Sequence, residues 1–366
     1  MKKQLVSILT AGCLMAAMVP AAFAADATMS EEALKSAVAK GGTVDLTGDV
    51  TLNSTLEIKD GVIIDGNGYT ITYTPNTQTY AIDIQTNDAV KFQDITIDAT
   101  AGNMTNGIVV QNCVPHLTLD NTELNVMRFG ISFTPTGADA TLDVVNNSAI
   151  LNRRVNDYAT EAVVGDCRGI TFWDSTNAIV NINNSDIKGF GYSINIAGSS
   201  VQGNSTNMKM NVSNSDIWGW SAFNVWTIGN EFNIINSDLR GINTASGGAN
   251  NFGTIVLNSG IYSSSNNSNV FNFSGGTIGA YSYGDRSQFP IDIRDELRTK
   301  FKFYVNGNDP VKFVSNVDTA AFNFAIQGIT PAQVEDYVSK YITGYETCDL
   351  SGLTHSSREA ALYSVK

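Results

Sequence analysis

Basic side chains are scarce in this sequence. Its 366 residues include 22 lysines and arginines against 35 aspartates and glutamates. Nucleic-acid binding needs clustered lysine and arginine against the phosphates, so the composition argues against a nucleic-acid partner. An acidic surface also weakens the case for a strongly anionic polysaccharide, unless calcium bridges the two.

Long apolar runs are missing except at the N-terminus. There, two lysines precede the apolar stretch Leu5–Val19 and the small-residue triplet Ala22–Ala24. This pattern is typical of a bacterial secretory signal peptide over residues 1–24, cleaved before Ala25, and it predicts a secreted or cell-surface protein. A lipoprotein signal at Cys13 is the alternative, but the apolar stretch before Cys13 is short. Nothing later is long and apolar enough to cross a bilayer.

An irregular internal repeat runs through the remaining chain. Its unit is an apolar residue, any residue, a bend residue, two polar or small residues and a further apolar residue. The clearest copies have as bend residues Asn121, Asn147, Asn184, Asn214, Asn236 and Asn258. The spacing is uneven and no helical segment separates the copies, which excludes leucine-rich and ankyrin arrays. Short strands stacked in a parallel β-helix fit it, because loops between coils can lengthen without disturbing their neighbours.

Each copy also predicts where its side chains point. Alternation sends Ile, Val and Leu inward and the residues between them outward. Asparagine tolerates the left-handed conformation of a bend, and its amide can bond an equivalent amide in the next coil. We therefore expect the six asparagines to form an internal ladder. A second short strand follows many copies and begins at a Gly-Ile pair, as at Gly107, Gly130, Gly169 and Gly241.

The N-terminal end of such a solenoid needs a cap, because open strand edges invite aggregation. Thr28 and Glu31 form a capping box ahead of an apolar stripe that includes Leu34 and Val38, and Gly41 follows the stripe. These signals predict a capping helix within residues 25–42.

The C-terminal end is predicted to differ from the solenoid. The repeat fades after Ala280, where charged residues become dense, and Pro331 opens a second predicted helix that starts at Thr330. We therefore place the β-helix at residues 43–280. Residues 281–366 are expected to form a small α/β or irregular cap, or a small appended module.

Cysteine usage does not predict a disulfide framework. Cys113, Cys167 and Cys348 follow the signal, and an odd number leaves at least one thiol free or paired between chains. In a solenoid, Cys113 and Cys167 would lie about two coils apart, beyond the roughly 7 Å Cα separation that a disulfide allows. We expect no bridge between them.

The stacked copies, with the runs Gly42–Leu46 and Ile64–Gly68, resemble the right-handed parallel β-helix superfamily that includes pectate lyases and polygalacturonases. The resemblance covers residues 43–280 and points to no specific member. It implies an all-β fold, a single-stranded right-handed parallel β-helix solenoid. That superfamily also contains adhesins, phage tailspikes and surface proteins, so the fold alone does not give a function.

The catalytic patterns of that superfamily are missing. The chain has no Asp-Asp pair of the kind that flanks water and sugar in polygalacturonase-type hydrolases, and neither His116 nor His355 lies in a Gly-His-Gly segment. No cluster of carboxylates indicates the calcium site of a pectate lyase, so no metal ligand is assigned. His116 follows Pro115 at a predicted turn, which favours a surface histidine.

One stretch could nevertheless carry chemistry. The step from Asn147 to Asn184 is longer than the others, which predicts a bulging loop. Loops on a rigid scaffold often carry function, and this one supplies mixed arginine and carboxylate groups. The weak catalytic candidates there are Arg154, Glu161, Asp166, Arg168 and Asp174. The alternative is a solvated loop in which Arg153 and Arg154 pair with nearby acids.

Aromatic residues suggest a sugar-binding surface. If they face outward, their rings form a platform on which sugar rings can stack, and if they face inward they fill the core. The candidate ligand-binding residues are Trp173, Tyr192, Trp218, Trp220 and Trp226. Residues two apart on a strand share a face, so Trp218 and Trp220 are expected to point the same way.

Three functions remain open from the sequence. The first is a non-catalytic, adhesin-like solenoid that contacts a polysaccharide or cell-surface glycan, with no cofactor unless calcium takes part. The second is a divergent polysaccharide lyase or glycoside hydrolase. The third is a structural envelope or matrix component. No feature of the sequence indicates an oligomeric state.

Overall fold

The computed structural model describes residues 29–158, 161–162, 166–198, 205–243, 252–258, 267–282, 288–293, 300–305, 311–315, 325–326, 345–347 and 361–365. These residues form one helix, α1 (Glu31–Val38), and 28 strands. The predicted signal peptide and the helix predicted from Thr330 lie outside the described residues. Among the described residues, no helix combines the length and the apolar character that a membrane crossing requires.

The strands wind into stacked coils, and successive coils pair in parallel along three sheets. Sheet 1 contains β1 (Gly42–Asp45), β4 (Val62–Asp65), the first halves of β7 (Ala89–Ala99) and β9 (His116–Val126), β11 (Thr141–Val145), β14 (Ile179–Asn183), β16 (Lys209–Ser213), β18 (Glu231–Ile235), β21 (Asn269–Ser274) and β24 (Phe301–Val305).

Sheet 2 lies next to it along the chain. It contains β2 (Val50–Leu52), β5 (Thr70–Tyr73), the second halves of β7 and β9, β12 (Ala149–Asn152), the first parts of β15 (Asp186–Ala197) and β17 (Asp216–Val225), β19 (Asp238–Asn243), β22 (Thr277–Ser282) and β25 (Val311–Ser315).

Sheet 3 completes each coil. It contains β3 (Leu56–Ile58), β6 (Tyr80–Ile84), β8 (Asn106–Gln111), β10 (Phe129–Thr134), β13 (Arg168–Trp173), the second parts of β15 and β17, β20 (Phe252–Leu257), β23 (Gln288–Ile293) and β26 (Ala325–Ile326). This is the parallel β-helix that the repeat and the family resemblance predict.

The β-helix continues past residue 280, where the sequence placed its end. Gln288–Ile293 pairs in parallel with β20, and Phe301–Val305 pairs in parallel with β21. The end predicted at Ala280 is therefore too early. Charged residues between these strands hide the repeat, although the strands themselves keep inward residues such as Ile291. The two last strands, β27 (Tyr345–Thr347) and β28 (Ala361–Val365), are antiparallel, and β28 pairs with β25.

The predicted N-terminal capping helix is present, but its cap is a different residue. Ser30 is the N-cap of α1, and its side chain accepts a hydrogen bond from the backbone N–H of Ala33 at 3.1 Å. Leu34 and Val38 are fully buried, as their spacing predicts. The helix therefore covers the first coil with its apolar face, and Ser30 replaces Thr28 in the capping role.

Alternate residues of the strands form the core. In β14, Val180 and Ile182 are buried, whereas Ile179 and Asn183 on either side of them are exposed. The core is mostly aliphatic in the early coils, with Tyr73 and Phe92 as aromatic members, and becomes richer in aromatic residues towards the C-terminus. The ring of Phe271 stacks on that of Phe232 at 4.2 Å between centroids and lies 5.6 Å from the ring of Phe301. Such stacked rings add to the free energy of burial.

The bend asparagines only partly behave as predicted. Five of the six adopt left-handed φ angles between 47° and 65°: Asn121, Asn147, Asn184, Asn214 and Asn236. The Nδ2 of Asn184 donates a hydrogen bond to Oδ1 of Asn147 at 2.6 Å. All five are exposed, however, so the prediction of an internal ladder is wrong for these residues. A left-handed corner directs the side chain out of the coil and into water.

The internal ladder consists of the residues that follow the asparagines. Ser148, Ser185, Ser215 and Ser237 are buried. The hydroxyl oxygens of Ser148, Ser215 and Ser237 each accept a hydrogen bond from a backbone N–H of the preceding coil, from Thr122, Ser185 and Ser215 respectively, at 3.0 to 3.3 Å. A small hydroxyl fits inside the corner and satisfies a buried donor.

Asn258 is not a bend residue of this series. It directly follows β20 in sheet 3, is buried, and donates a hydrogen bond to the amide oxygen of Asn224. Asn224 in turn donates to Asn195 at 2.8 Å. The chain thus has a second, buried asparagine ladder on a different sheet.

Candidate ligand-binding site

The described residues of the long segment between β12 and β13 lie against the corner where sheet 2 meets sheet 3. The ring of Tyr158 packs on Gly189, where a Cβ would lie 2.6 Å from Tyr158 Cε1. Ala162 packs against Trp220. Arg153 donates to Glu123 and to Asn125, each at 2.6 Å. Arg153, Tyr158 and Ala162 therefore attach this part of the chain to the β-helix by apolar and charged contacts.

Two arginines meet one carboxylate at this corner. Asp166 contacts the guanidinium of Arg128, and its other oxygen lies 3.6 Å from Arg168 Nη2. The Asp166 side chain is 56% exposed, whereas those of Arg128 and Arg168 are 16% and 25% exposed. The guanidinium groups are thus set into the surface, and the carboxylate lies above them in water.

Sheet register brings these residues together. Phe129 pairs with Arg168, and Arg168 pairs with Tyr192 in the next strand, so the three side chains follow one another at about 4.8 Å. Gly169 allows the tight corner, because a Cβ there would lie 2.4 Å from the carbonyl oxygen of Ser193. The guanidinium carbons of Arg128 and Arg168 lie 4.3 and 5.5 Å from the centroid of Phe129. We call Tyr80, Arg128, Phe129, Asp166, Arg168 and Tyr192 the arginine–tyrosine corner.

A tyrosine borders the corner at each end. The ring of Tyr192 stacks on that of Trp220 at 5.8 Å with an interplanar angle of 24°. Burial raises the pKa of Tyr80, although a hydrogen bond with Ser132 and the charges of the two arginines oppose the rise. Tyr80 is therefore a neutral hydrogen-bonding group near neutral pH.

Burial also acts on the charge of Arg168. It lowers the pKa of this guanidinium, and the positive charge of Arg128 lowers it further, whereas Tyr192 and Tyr80 act in the opposite direction. The Nε atoms of both arginines are buried and make no hydrogen bond in the described structure. The contacts of the two guanidinium groups are made by their terminal nitrogens, with Asp166 from both arginines and with Gln78 from Arg128.

The corner unites two of the five weak catalytic candidates, Asp166 and Arg168. Arg154 instead donates to the sulfur of Cys167 at 3.4 Å, so the prediction that it pairs with an acid is not met. Glu161 is exposed, and its carboxylate accepts from the backbone of Asn156. Asp174 lies at a left-handed bend beyond the far end of β13, about 20 Å along the strand from Arg168.

The tryptophans do not form a continuous platform. Trp218 lies on sheet 2 in register with Lys188 and Arg240, whose charged groups lie 4.5 and 4.0 Å from its ring centroid. Because these residues belong to the coils before and after it, they occupy both faces of the indole. Trp220 is 4% exposed and lies beyond a register shift in β15, so the two tryptophans do not share a surface.

The remaining predicted residues lie elsewhere. Trp173 ends β13 and is half-buried, and Trp226 packs against the main core. His116 lies at the start of β9, where its Nδ1 is 3.0 Å from the hydroxyl of Thr141 on the exposed side of sheet 1. Cys113 and Cys167 are buried free thiols, and burial raises the pKa of each.

Three members of the corner were missed from the sequence: Tyr80, Arg128 and Phe129. They lie far from the long loop in sequence and next to it in space. A signal was present, because the pairs Gly130–Ile131 and Gly169–Ile170 mark equivalent positions. Aligning those pairs places Arg128 and Phe129 beside Cys167 and Arg168.

The described residues contain no group of three or more His, Cys, Asp or Glu side chains that could hold a metal ion. On sheet 2, Asp186, Asp216 and Asp238 follow one another in register, but Lys188 and Arg240 pair with them at 2.9 to 3.3 Å. Burial raises the pKa of Asp238, and Asp216 adds to the rise while Arg240 opposes it. This acidic row is thus a charge-paired face of the solenoid.

Comparison with known proteins adds one structure. No family model and no curated protein matches the sequence. Among solved structures, the A-module of a mannuronan C-5 epimerase from Azotobacter vinelandii is similar, with 16% identity and a TM-score of 0.44 over 82% of this chain and 94% of that one. At this identity no residue role carries over.

Proposed function

We propose that the chain is an exported β-helix that binds glycans at the arginine–tyrosine corner without cleaving them. The observation that carries the proposal is the pair of guanidinium groups held on the Phe129 ring, with a tyrosine at each end. Aromatic rings offer stacking surfaces for sugars, and arginine offers several directed donors. Both kinds of group lie on a rigid sheet, which keeps the surface preorganised.

Two observations favour binding over hydrolysis. A hydrolase needs two carboxyl groups in separate roles, and Asp166 is the carboxylate that the described residues bring into contact with the arginines. Tyr80 has a raised pKa, so it is suited to donate a hydrogen bond and not to act as a base. The net acidity of the chain does not oppose binding here, since the corner itself carries two positive charges and one negative charge.

The test is a glycan array followed by titration calorimetry on the mature protein, with and without calcium. Arg168→Gln is expected to weaken binding of any captured glycan by at least about tenfold, because a directed charged contact contributes roughly 1.5–3 kcal/mol. Lys209→Gln is the control. It removes one positive charge, as Arg168→Gln does, but on sheet 1, where the Lys209 ammonium lies 3.8 Å from Glu231. If Arg168→Gln and Lys209→Gln bind alike, the corner is not the site.

A second candidate is a polysaccharide lyase, favoured by one observation. A lyase needs a base that removes a proton beside a carboxylate. Arg168 shares the Phe129 ring with Arg128, a second guanidinium that offers donors to such a carboxylate, and burial lowers the pKa of Arg168 although Tyr192 and Tyr80 oppose the shift. Ultraviolet absorbance of unsaturated sugars, released from a panel of polysaccharides, tests this activity. Release by the wild type that Arg168→Gln abolishes would replace the binding proposal with the lyase.

A further inference from the structure

The carboxylate of Asp166 stands apart from the other members of the corner. Arg128 is held by three contacts, with Asp166, with the Phe129 ring and with Oε1 of Gln78 at 3.2 Å. Arg168 is held by the register of β13 and by the same ring. Asp166 is the most exposed of the three charged groups. The two arginines are therefore held in place by the β-helix, whereas Asp166 is the member of the corner most exposed to water.

The weakness of this ion pair allows an anion of the ligand to replace the Asp166 carboxylate. An ion pair whose carboxylate is 56% exposed changes an equilibrium constant by no more than about fivefold, because solvent screens the attraction. An incoming anion that contacts the same two arginines recovers that contribution. A ligand that also reaches the part of the half-buried Tyr192 side chain that Trp220 leaves uncovered gains apolar contact that Asp166 does not have.

We infer that Asp166 holds the place of an acidic group on the ligand, and that a glycan bearing carboxylate or sulfate groups binds by displacing this side chain. The inference rests on the proposed function and specifies how the site is occupied. Carboxylate and sulfate share the chemistry that two arginines recognise, namely two or more oxygens that accept parallel N–H donors. In the free protein Asp166 supplies that group itself and thereby lowers the apparent affinity for the ligand.

The test compares Asp166→Asn with the wild type by calorimetry, using an oligouronate, a sulfated oligosaccharide and a neutral glucan of similar length. Removal of the internal competitor is expected to tighten binding of the acidic ligands about two- to fivefold, the equivalent of an exposed ion pair. The neutral glucan should bind both proteins alike. The titrations with carboxylated and sulfated ligands identify which acidic group Arg128 and Arg168 accept. Tighter binding of either ligand by Asp166→Asn supports the inference.

Asp186→Asn is the matched control, because Asp186 pairs with Lys188 at 2.9 Å on sheet 2, away from the corner. Asp166→Ser provides a second variant, and circular dichroism checks the fold of each. Unchanged or weaker binding of acidic ligands by both Asp166 variants overturns the inference while the proposed function stands. Absence of binding by the wild type and by both variants overturns the proposed function as well. Equal tightening by Asp186→Asn overturns the inference, since the effect would then come from net charge.

Discussion

The backbone N–H of Ser185 donates a hydrogen bond to Oγ of Ser215, which lies 3.1 Å away at the equivalent corner of the next coil. Ser215 also donates its own hydroxyl proton to the carbonyl oxygen of Ser213 at 2.7 Å. Both serines are buried. Each hydroxyl therefore satisfies one backbone group in its own coil and one in its neighbour.

Replacing this hydroxyl is expected to be more harmful than replacing the asparagine before it. Ser215→Ala leaves the buried N–H of Ser185 without a partner, which should lower the free energy of unfolding by about 1–3 kcal/mol. Asn214→Gly keeps the left-handed φ of 49° accessible and should change it by less than about 1 kcal/mol. Urea denaturation of the two variants measures the difference, and a larger loss for Asn214→Gly would contradict the assignment of the internal ladder.

The aromatic part of the core should be sensitive to truncation. Phe271 is fully buried and its ring contacts those of Phe232 and Phe301. Phe271→Ala is expected to destabilise the protein by about 3–5 kcal/mol through lost contacts and the cavity that remains. Ile179→Ala, at a side chain that is 44% exposed, is the control and should stay within about 0.5 kcal/mol. Equal effects in urea denaturation would exclude this description of the core.

The N-terminal cap should make stability depend on acidic pH. Hydrogen bonds from Lys35 and from the backbone of Asn53 lower the pKa of Glu31 from 4.5 to about 2. Because the folded pKa lies below the unfolded one, the stabilisation is complete above about pH 5 and disappears as the pH falls towards 2. Glu31→Gln should therefore be less stable than the wild type at pH 7 and equally stable near pH 2. Denaturation curves at both pH values decide this, and a constant difference between the two proteins would count against it.

Trp218 is expected to contribute to stability and not to ligand binding. Lys188 and Arg240 cover the two faces of its ring, and each such contact contributes about 0.5–1 kcal/mol at a partly exposed site. Trp218→Ala should lower the free energy of unfolding by about 1–2 kcal/mol and leave glycan titrations unchanged. Tyr192→Ala is the comparison, since Tyr192 belongs to the corner and its removal should weaken binding. Loss of binding in Trp218→Ala would show that the sequence-based assignment of a tryptophan surface was right.

The sequence predicts the solenoid well because the repeat is a local pattern. Five of the predicted bend positions do adopt left-handed φ, since only the residue type and its neighbours determine that preference. The prediction for Asn258 is wrong because Val256, Leu257 and Asn258 match the sequence pattern of the bend, although Val256 and Leu257 belong to β20 in sheet 3 and Asn258 directly follows it. The sequence pattern alone does not distinguish one corner of a coil from another.

The candidate site was harder to predict because it depends on register. Arg128 and Asp166 are 38 residues apart, and they meet only because β10 and β13 pair in successive coils. The length of each intervening loop determines that register and varies along the chain. The uneven spacing therefore hid the three missed members of the corner. The glycines Gly130 and Gly169 mark the positions of Arg128 and Phe129, whereas Tyr80 precedes Ala81 and has no such marker.

The pairing of each coil with its immediate neighbours has a mechanical consequence. All parallel backbone pairings described here join successive coils, so the end of the solenoid can detach without breaking any pairing further inside. Ser185 and Ser215 occupy equivalent corners 30 residues apart, and releasing one such coil would lengthen the chain by roughly 100 Å. A molecule stretched by its two ends should unwind in a series of short steps at low force, as a tether that extends gradually and rewinds coil by coil when the load is removed.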